Sequence, residues 1–99
     1  MPSFISLSEA QDLTFAYQDS EMAQGQTIAL SVDNDMLQQV LDQEGVVGTR
    51  FYLSLTDEGK LTLVVVGVNE NNEDMTDGLL LDDLDKCPPH CPTSSPLMQ

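Results

Sequence analysis

Basic residues are nearly absent. Three Lys and Arg stand against 17 Asp and Glu in 99 residues, a formal net charge of -14. A surface of that sign repels phosphate backbones and anionic lipid alike, which excludes nucleic-acid binding and membrane-surface binding through a basic groove. A protein partner and divalent cations remain open; the plain role of the charge is solubility. Trp is missing, and three Phe and two Tyr are the only aromatics, so the core must be mainly aliphatic. Long apolar runs are missing too. The longest, Leu63–Val68, is far too short to cross a bilayer. The opening MPSFISLSEAQ has no positive n-region and no apolar h-region, so no signal peptide is read there. A cytoplasmic location is the expectation, and cytosolic thiols stay reduced.

What is present suits one small domain. A chain of this length buries roughly two-thirds of the surface that its unfolded form exposes, enough for a modest core but not for a cleft between two lobes. Hydrophobic residues make up 40% of the chain, too many for a disordered composition.

Ser6 and Glu9 have the spacing of a capping box, with Ile5 placed to pack on Ala10. Leu7, Ala10, Leu13, Thr14 and Tyr17 follow on one helical face, which predicts a helix over about 7–21 that stops before Gly25. Thr27–Val32 alternates as a short strand. Asp33 can cap a second helix with the stripe Leu37, Val40 and Leu41, ended by Gly45. VGTRFYLSL then puts Val47, Thr49, Phe51, Leu53 and Leu55 on one face of a strand. TDEGK makes the turn, with Gly59 free to take positive φ. LTLVVVGV returns, apolar on both faces, as a central or doubly covered strand does.

The expected fold is α+β: two helices packed on a small, mostly antiparallel three-stranded sheet, with Thr27–Val32 as the third strand. Phe51, Leu53 and Val65 are expected in its core. The domain spans 1–86, and residues 87–99 form a Pro- and Cys-containing segment expected to be partly disordered. Val64, Val66 and Val68 need a cover. The candidates are the N-terminal helix, the segment around Leu79–Leu81, or the same face of another chain. A symmetric homodimer satisfies such a patch with itself, and its repulsive charge predicts tightening as salt rises.

CPPHC, residues 87–91, gathers both cysteines and the single histidine. Cys87, His90 and Cys91 are candidate zinc ligands. Zinc takes four, so Asp85 or a second chain would have to complete the set. A disulfide across the three intervening residues is sterically allowed. The expectation is a proline-stiffened turn whose cysteines pack, with no cofactor and zinc as the alternative. NENNEDMTDG (Asn69–Gly78) places oxygen ligands at alternate positions, but Asp74 stands where a calcium loop needs glycine, and the twelfth-position Glu is missing. A solvated acidic loop is the simpler reading. Arg50, the only arginine, is expected to pair with a carboxylate. No Ser/His/Asp set and no phosphate-cradling glycine loop is evident, so no enzyme is expected.

The stretch GTRFYLSLTDEGKLTLVVVGVNENNEDM followed by CPPHC resembles a family of small uncharacterised bacterial proteins best represented in the Bacteroidetes. The resemblance covers about residues 27–91. That family more often carries Asp at the position of Asn69 and Gly at that of Asn72, and its residue matching His90 varies. The resemblance implies no activity. It implies that Cys87 and Cys91 belong with the fold. The function read from the sequence is a small, acidic, non-enzymatic interaction protein. The alternatives are a metal-binding or redox module using CPPHC, and an acidic mimic that blocks a nucleic-acid-binding protein.

Overall fold

Ser6 closes the N-terminus of the first helix. Its Oγ accepts from the Glu9 N–H at 3.1 Å, and Glu9 Oε1 accepts from the Ser6 N–H at 3.2 Å. The computed structural model, which describes residues 1–99, runs α1 (Leu7–Gln18), a 3-10 turn (Glu21–Ala23), β1 (Ala29–Ser31) and α2 (Asn34–Leu41). It continues with β2 (Gly48–Leu55), β3 (Leu61–Val68), β4 (Leu80–Leu81) and β5 (Asp85–Cys87). The fold is α+β with a three-stranded antiparallel sheet, β2-β3-β4. α1 ends three residues short of the expected boundary. The Ser20 N–H bonds the Tyr17 carbonyl at 3.0 Å, and the Ser20 hydroxyl bonds the same oxygen, tightening the last turn. α2 starts as predicted, with Asp33 Oδ1 accepting from the Met36 N–H at 2.8 Å.

The hairpin register pairs Phe51 with Val65, Leu53 with Leu63 and Leu55 with Leu61. Gly59 turns it at φ 78°, its N–H on the Thr56 carbonyl at 2.9 Å. The third strand is not Thr27–Val32. β4 occupies the free edge of β3, with Leu81 opposite Val65 and Leu80 opposite Val66. β1 instead pairs with β5 in a separate two-stranded sheet, Ala29 opposite Cys87 and Ser31 opposite Asp85. One edge of β3 holds only one strand. The chain that leaves β3 returns to fill that edge as β4.

Val40, Val65, Leu81 and Leu84 form the buried cluster, with Leu30, Val32, Leu37 and Leu63 packed around it. One helix covers the sheet where two were expected. α2 lies over β3 and β4. α1 has no buried residue; Leu7 and Leu13 are exposed. Polar contacts hold α1 instead. The Tyr17 hydroxyl donates to the Thr27 carbonyl at 2.7 Å, Gln11 Nε2 to the Pro96 carbonyl at 3.0 Å, and Gln18 Nε2 to the Leu97 carbonyl at 2.8 Å. Gln99 completes the set, its Nε2 donating to Asp19 Oδ1 at 2.9 Å. The segment expected to be partly disordered thus begins inside β5 and ends along α1. With α1 and this tail set outside the core, the radius of gyration is 15.1 Å, against about 13 Å for a compact domain of this length. Only 11 of 99 residues are buried, which makes the core small for the chain.

Candidate functional site

β2 is eight residues long and lies at the edge of its sheet; nothing pairs with its outer side. Thr56 donates to the Lys60 carbonyl at 2.9 Å, one step beyond the Leu55–Leu61 pair. Antiparallel hydrogen bonding alternates, so Gly48, Arg50, Tyr52 and Ser54 exchange bonds with β3. Thr49, Phe51, Leu53 and Leu55 therefore turn their N–H and C=O groups to the open side. At Val47 and Gly48 the strand bulges: the Val47 N–H also reaches the Val68 carbonyl, at 2.8 Å.

Three side chains of that same odd-numbered row, Phe51, Leu53 and Leu55, are apolar and uncovered, and Thr49 is half-buried. Val47 is 70% exposed, Phe51 50%, Leu53 77% and Leu55 69%. The alternation predicts that Phe51, Leu53 and Leu55 share a face with Val47; the register bears this out for the three, and the bulge takes Val47 out of the alternation. The burial expected of Phe51 and Leu53 fails, while Val65, opposite Phe51, is fully buried. Reach explains the difference. α2 has eight residues, about 12 Å of helix, and strands lie about 4.8 Å apart. Seated over β3 and β4, it leaves β2 bare. The patch expected at Val64, Val66 and Val68 is displaced accordingly. Val66 and Val68 are buried and Val64 is half-buried, and the bare apolar surface lies on the hairpin's other face. Leu79–Leu81 extends the sheet at β3 and does not lie over it as a lid.

On the opposite face of β2, Arg50 makes the expected ion pair, and its partner is Asp74. Asp74 also accepts from the Tyr52 hydroxyl, and Arg50 Nη2 donates to Asn72 Oδ1 at 2.6 Å. Asn72 sits at φ 63°, a conformation open to Asn, and Val68 bridges Asp74 across the loop. Sequence alone could not choose among 17 carboxylates; the fold of the Asn69–Gly78 loop does. The Tyr52 hydrogen bond, then Arg50, holds the Asp74 carboxyl below its ordinary range; that same bond raises the Tyr52 phenol. The signs follow. The Asp74 contribution is present above the ordinary carboxyl pKa and is lost as pH falls through the depressed value. The Tyr52 contribution is present below the ordinary phenol pKa and is lost as pH rises through the raised one. Asp74→Asn should bring the Tyr52 titration, followed by ultraviolet absorbance, down towards the ordinary phenol range. An unmoved titration would dissociate Tyr52 from Asp74.

Two of the loop side chains considered for calcium, Asn69 and Glu73, bond to each other and to the loop backbone. Asn69 Oδ1 accepts from the N–H groups of Asn71 at 2.9 Å and Glu73 at 3.0 Å, and Glu73 Oε1 accepts from Asn69 Nδ2. The largest groove, about 450 Å³, is lined by Asp57, Glu58, Asp82, Asp83 and Lys86, among others. Neither place gathers three metal-ligating groups.

CPPHC does not present packed free thiols. Cys87 and Cys91 form a disulfide, with Cα atoms 4.6 Å apart. Short spacing permits it, and β5 places the first sulfur: Cys87 ends that strand, 2% exposed, with its carbonyl accepting from the Ile28 N–H at 2.8 Å. Cys91 and His90 are exposed. With the sulfurs joined, Cys87, His90 and Cys91 do not make a zinc ligand set, since zinc binds thiolates. No helix is long and apolar enough to cross a membrane. Comparison with family models, with curated proteins and with solved structures finds no match.

Proposed function

We propose that the chain is a small, acidic, non-enzymatic interaction protein whose binding element is the outer edge of β2. One observation carries this reading: the open backbone edge and the uncovered apolar row share the three residues Phe51, Leu53 and Leu55. An added strand can then gain main-chain hydrogen bonds and side-chain burial in one step. Natural edge strands are guarded by Lys, Pro or an inward charge. β2 has none of these, and its one charge, Arg50, is held by Asp74. We propose a cytoplasmic location, in which the Cys87–Cys91 disulfide would be an exception to the reduced thiols of that compartment. A photo-reactive side chain at Leu53 should yield a covalent protein adduct in cells, while the same group at exposed Asp12 should not. Equal labelling at both positions, or none at either, would remove this reading.

A second reading, a thiol–disulfide module, is favoured by the burial asymmetry of the pair. An incoming thiolate can reach the Cys91 sulfur; the Cys87 thiolate then leaves, and a mixed disulfide remains on Cys91. Glutathione treatment followed by mass mapping tests it: an adduct found on Cys87 alone would reject it.

A further inference from the structure

We infer that the occupant of the β2 edge is β2 of a second copy, paired antiparallel across a two-fold axis that passes beside Tyr52. This rests on the binding role proposed for that edge. Three observations select the second copy.

The first is register. The outward hydrogen-bonding residues are Thr49, Phe51, Leu53 and Leu55. Only one antiparallel self-pairing matches all four with one another: Thr49 opposite Leu55 of the second copy, Phe51 opposite its Leu53, and the converse pairs. Every open N–H and C=O from Thr49 to Leu55 then finds a partner, and two three-stranded sheets become one of six strands. The same register sets Phe51 against Leu53 on the α2 side, an aromatic–aliphatic cross-strand pair, twice. On the other side the two Tyr52 residues meet at the axis, and Arg50 faces Ser54.

The second is charge. A chain of net charge -14 repels its own copy almost everywhere. Gly45–Thr56, which carries the open edge, is one of the acid-free stretches: twelve residues without Asp or Glu, between Glu44 and Asp57, with Lys86–Gln99 another. A basic partner would be drawn to the acidic remainder of the surface and not to this strip. An identical acidic chain can approach here.

The third is area. Edge pairing closes the open backbone and the flanks of Phe51, Leu53 and Leu55 and leaves their outer faces wet, so it buries less than about 1,200 Å² in all, the range of weak interfaces. Such an interface suits a dimer of micromolar strength that tightens as salt screens the like charges.

Sedimentation of the full chain at micromolar concentration tests the pairing. A dimer is expected, stronger at moderate than at low salt. Leu53→Lys should weaken it about tenfold or more while the monomer keeps its circular dichroism. Should that variant fail to fold, the register is read from cysteine pairs. Cα atoms at a non-hydrogen-bonded antiparallel pair lie about 4.5 Å apart, within disulfide range. Tyr52→Cys should therefore link two chains under mild oxidation with oxidised glutathione, and Ser54→Cys, whose opposite residue is Arg50, should not. Linkage through Ser54→Cys alone, or a dimer indifferent to Leu53→Lys, would overturn the register. A monomer at both salt concentrations would overturn the second copy as occupant. In that case a Leu53 photo-adduct with a different protein leaves the interaction reading standing, and no adduct ends both.

Discussion

Val65→Asp is expected to abolish folding. Val65 is fully buried, touches the Val40, Leu81 and Leu84 cluster, and sits in the central strand of the sheet. An aspartate there has no cationic partner. The nearest guanidinium, Arg50, lies on the other face of the hairpin and is held by Asp74. An unpaired carboxylate in such a place costs several kcal/mol even after its pKa rises. A domain of this size has about 5–15 kcal/mol in total, and this core is small. Leu84→Ala, which only leaves a cavity, should cost about 2–5 kcal/mol and remain measurable by urea unfolding. Phe51→Ala supplies the contrast. Its ring is half exposed, so its truncation should cost about 1 kcal/mol in the monomer, well below a buried phenylalanine. A cooperative melt of Val65→Asp near that of the wild type, or equal losses from Leu84→Ala and Phe51→Ala, would refute the placement of the core.

Loss of the Cys87–Cys91 bond is the second large effect. The bond closes a loop with a sequence separation of 4, for which chain entropy alone gives about 2 kcal/mol. At roughly 4–8 °C per kcal/mol for a domain of this size, the midpoint should fall by about 8–16 °C. Cys87 also ends β5 and accepts from Ile28, so the β1–β5 pair should loosen first, and with it the base of the tail that lies on α1. Met98 Sδ lies 3.9 Å from Cys87 Sγ, which couples the tail to the same place. Reduction and the Cys87→Ser/Cys91→Ser variant should give the same lowered midpoint. Identical melts with and without reductant would show that the bond contributes nothing.

Local chemistry was legible in the sequence wherever a few neighbouring residues decide the outcome. The Ser6–Glu9 capping box and the Asp33 cap follow from side chains bonding backbone a few residues away, and the hairpin turn from the positive φ that Gly59 takes without strain. Long-range choices were less legible. β5 is three residues, Asp85–Cys87, with no alternation to mark it, so its pairing with β1 could not be read. The face of α1 looks like a core stripe because periodicity records which residues share a side, not whether anything covers that side. β2 illustrates the same limit. Its row of Phe51, Leu53 and Leu55 was legible as a row; that α2 stops short of it depends on helix length and strand spacing. The disulfide needed the backbone of β5 to place Cys87 before spacing could select it.

The central claim is that β2 presents a live edge. Amide hydrogen exchange measured residue by residue as a function of protein concentration tests it most directly. Arg50, Tyr52 and Ser54 bond to β3 and should be protected at every concentration. Thr49, Phe51, Leu53 and Leu55 should exchange fast in dilute solution and slow together as concentration rises, because only association can occupy their N–H groups. Protection of those four amides that does not change with concentration would mean that the edge is already covered within one chain, and would contradict the account.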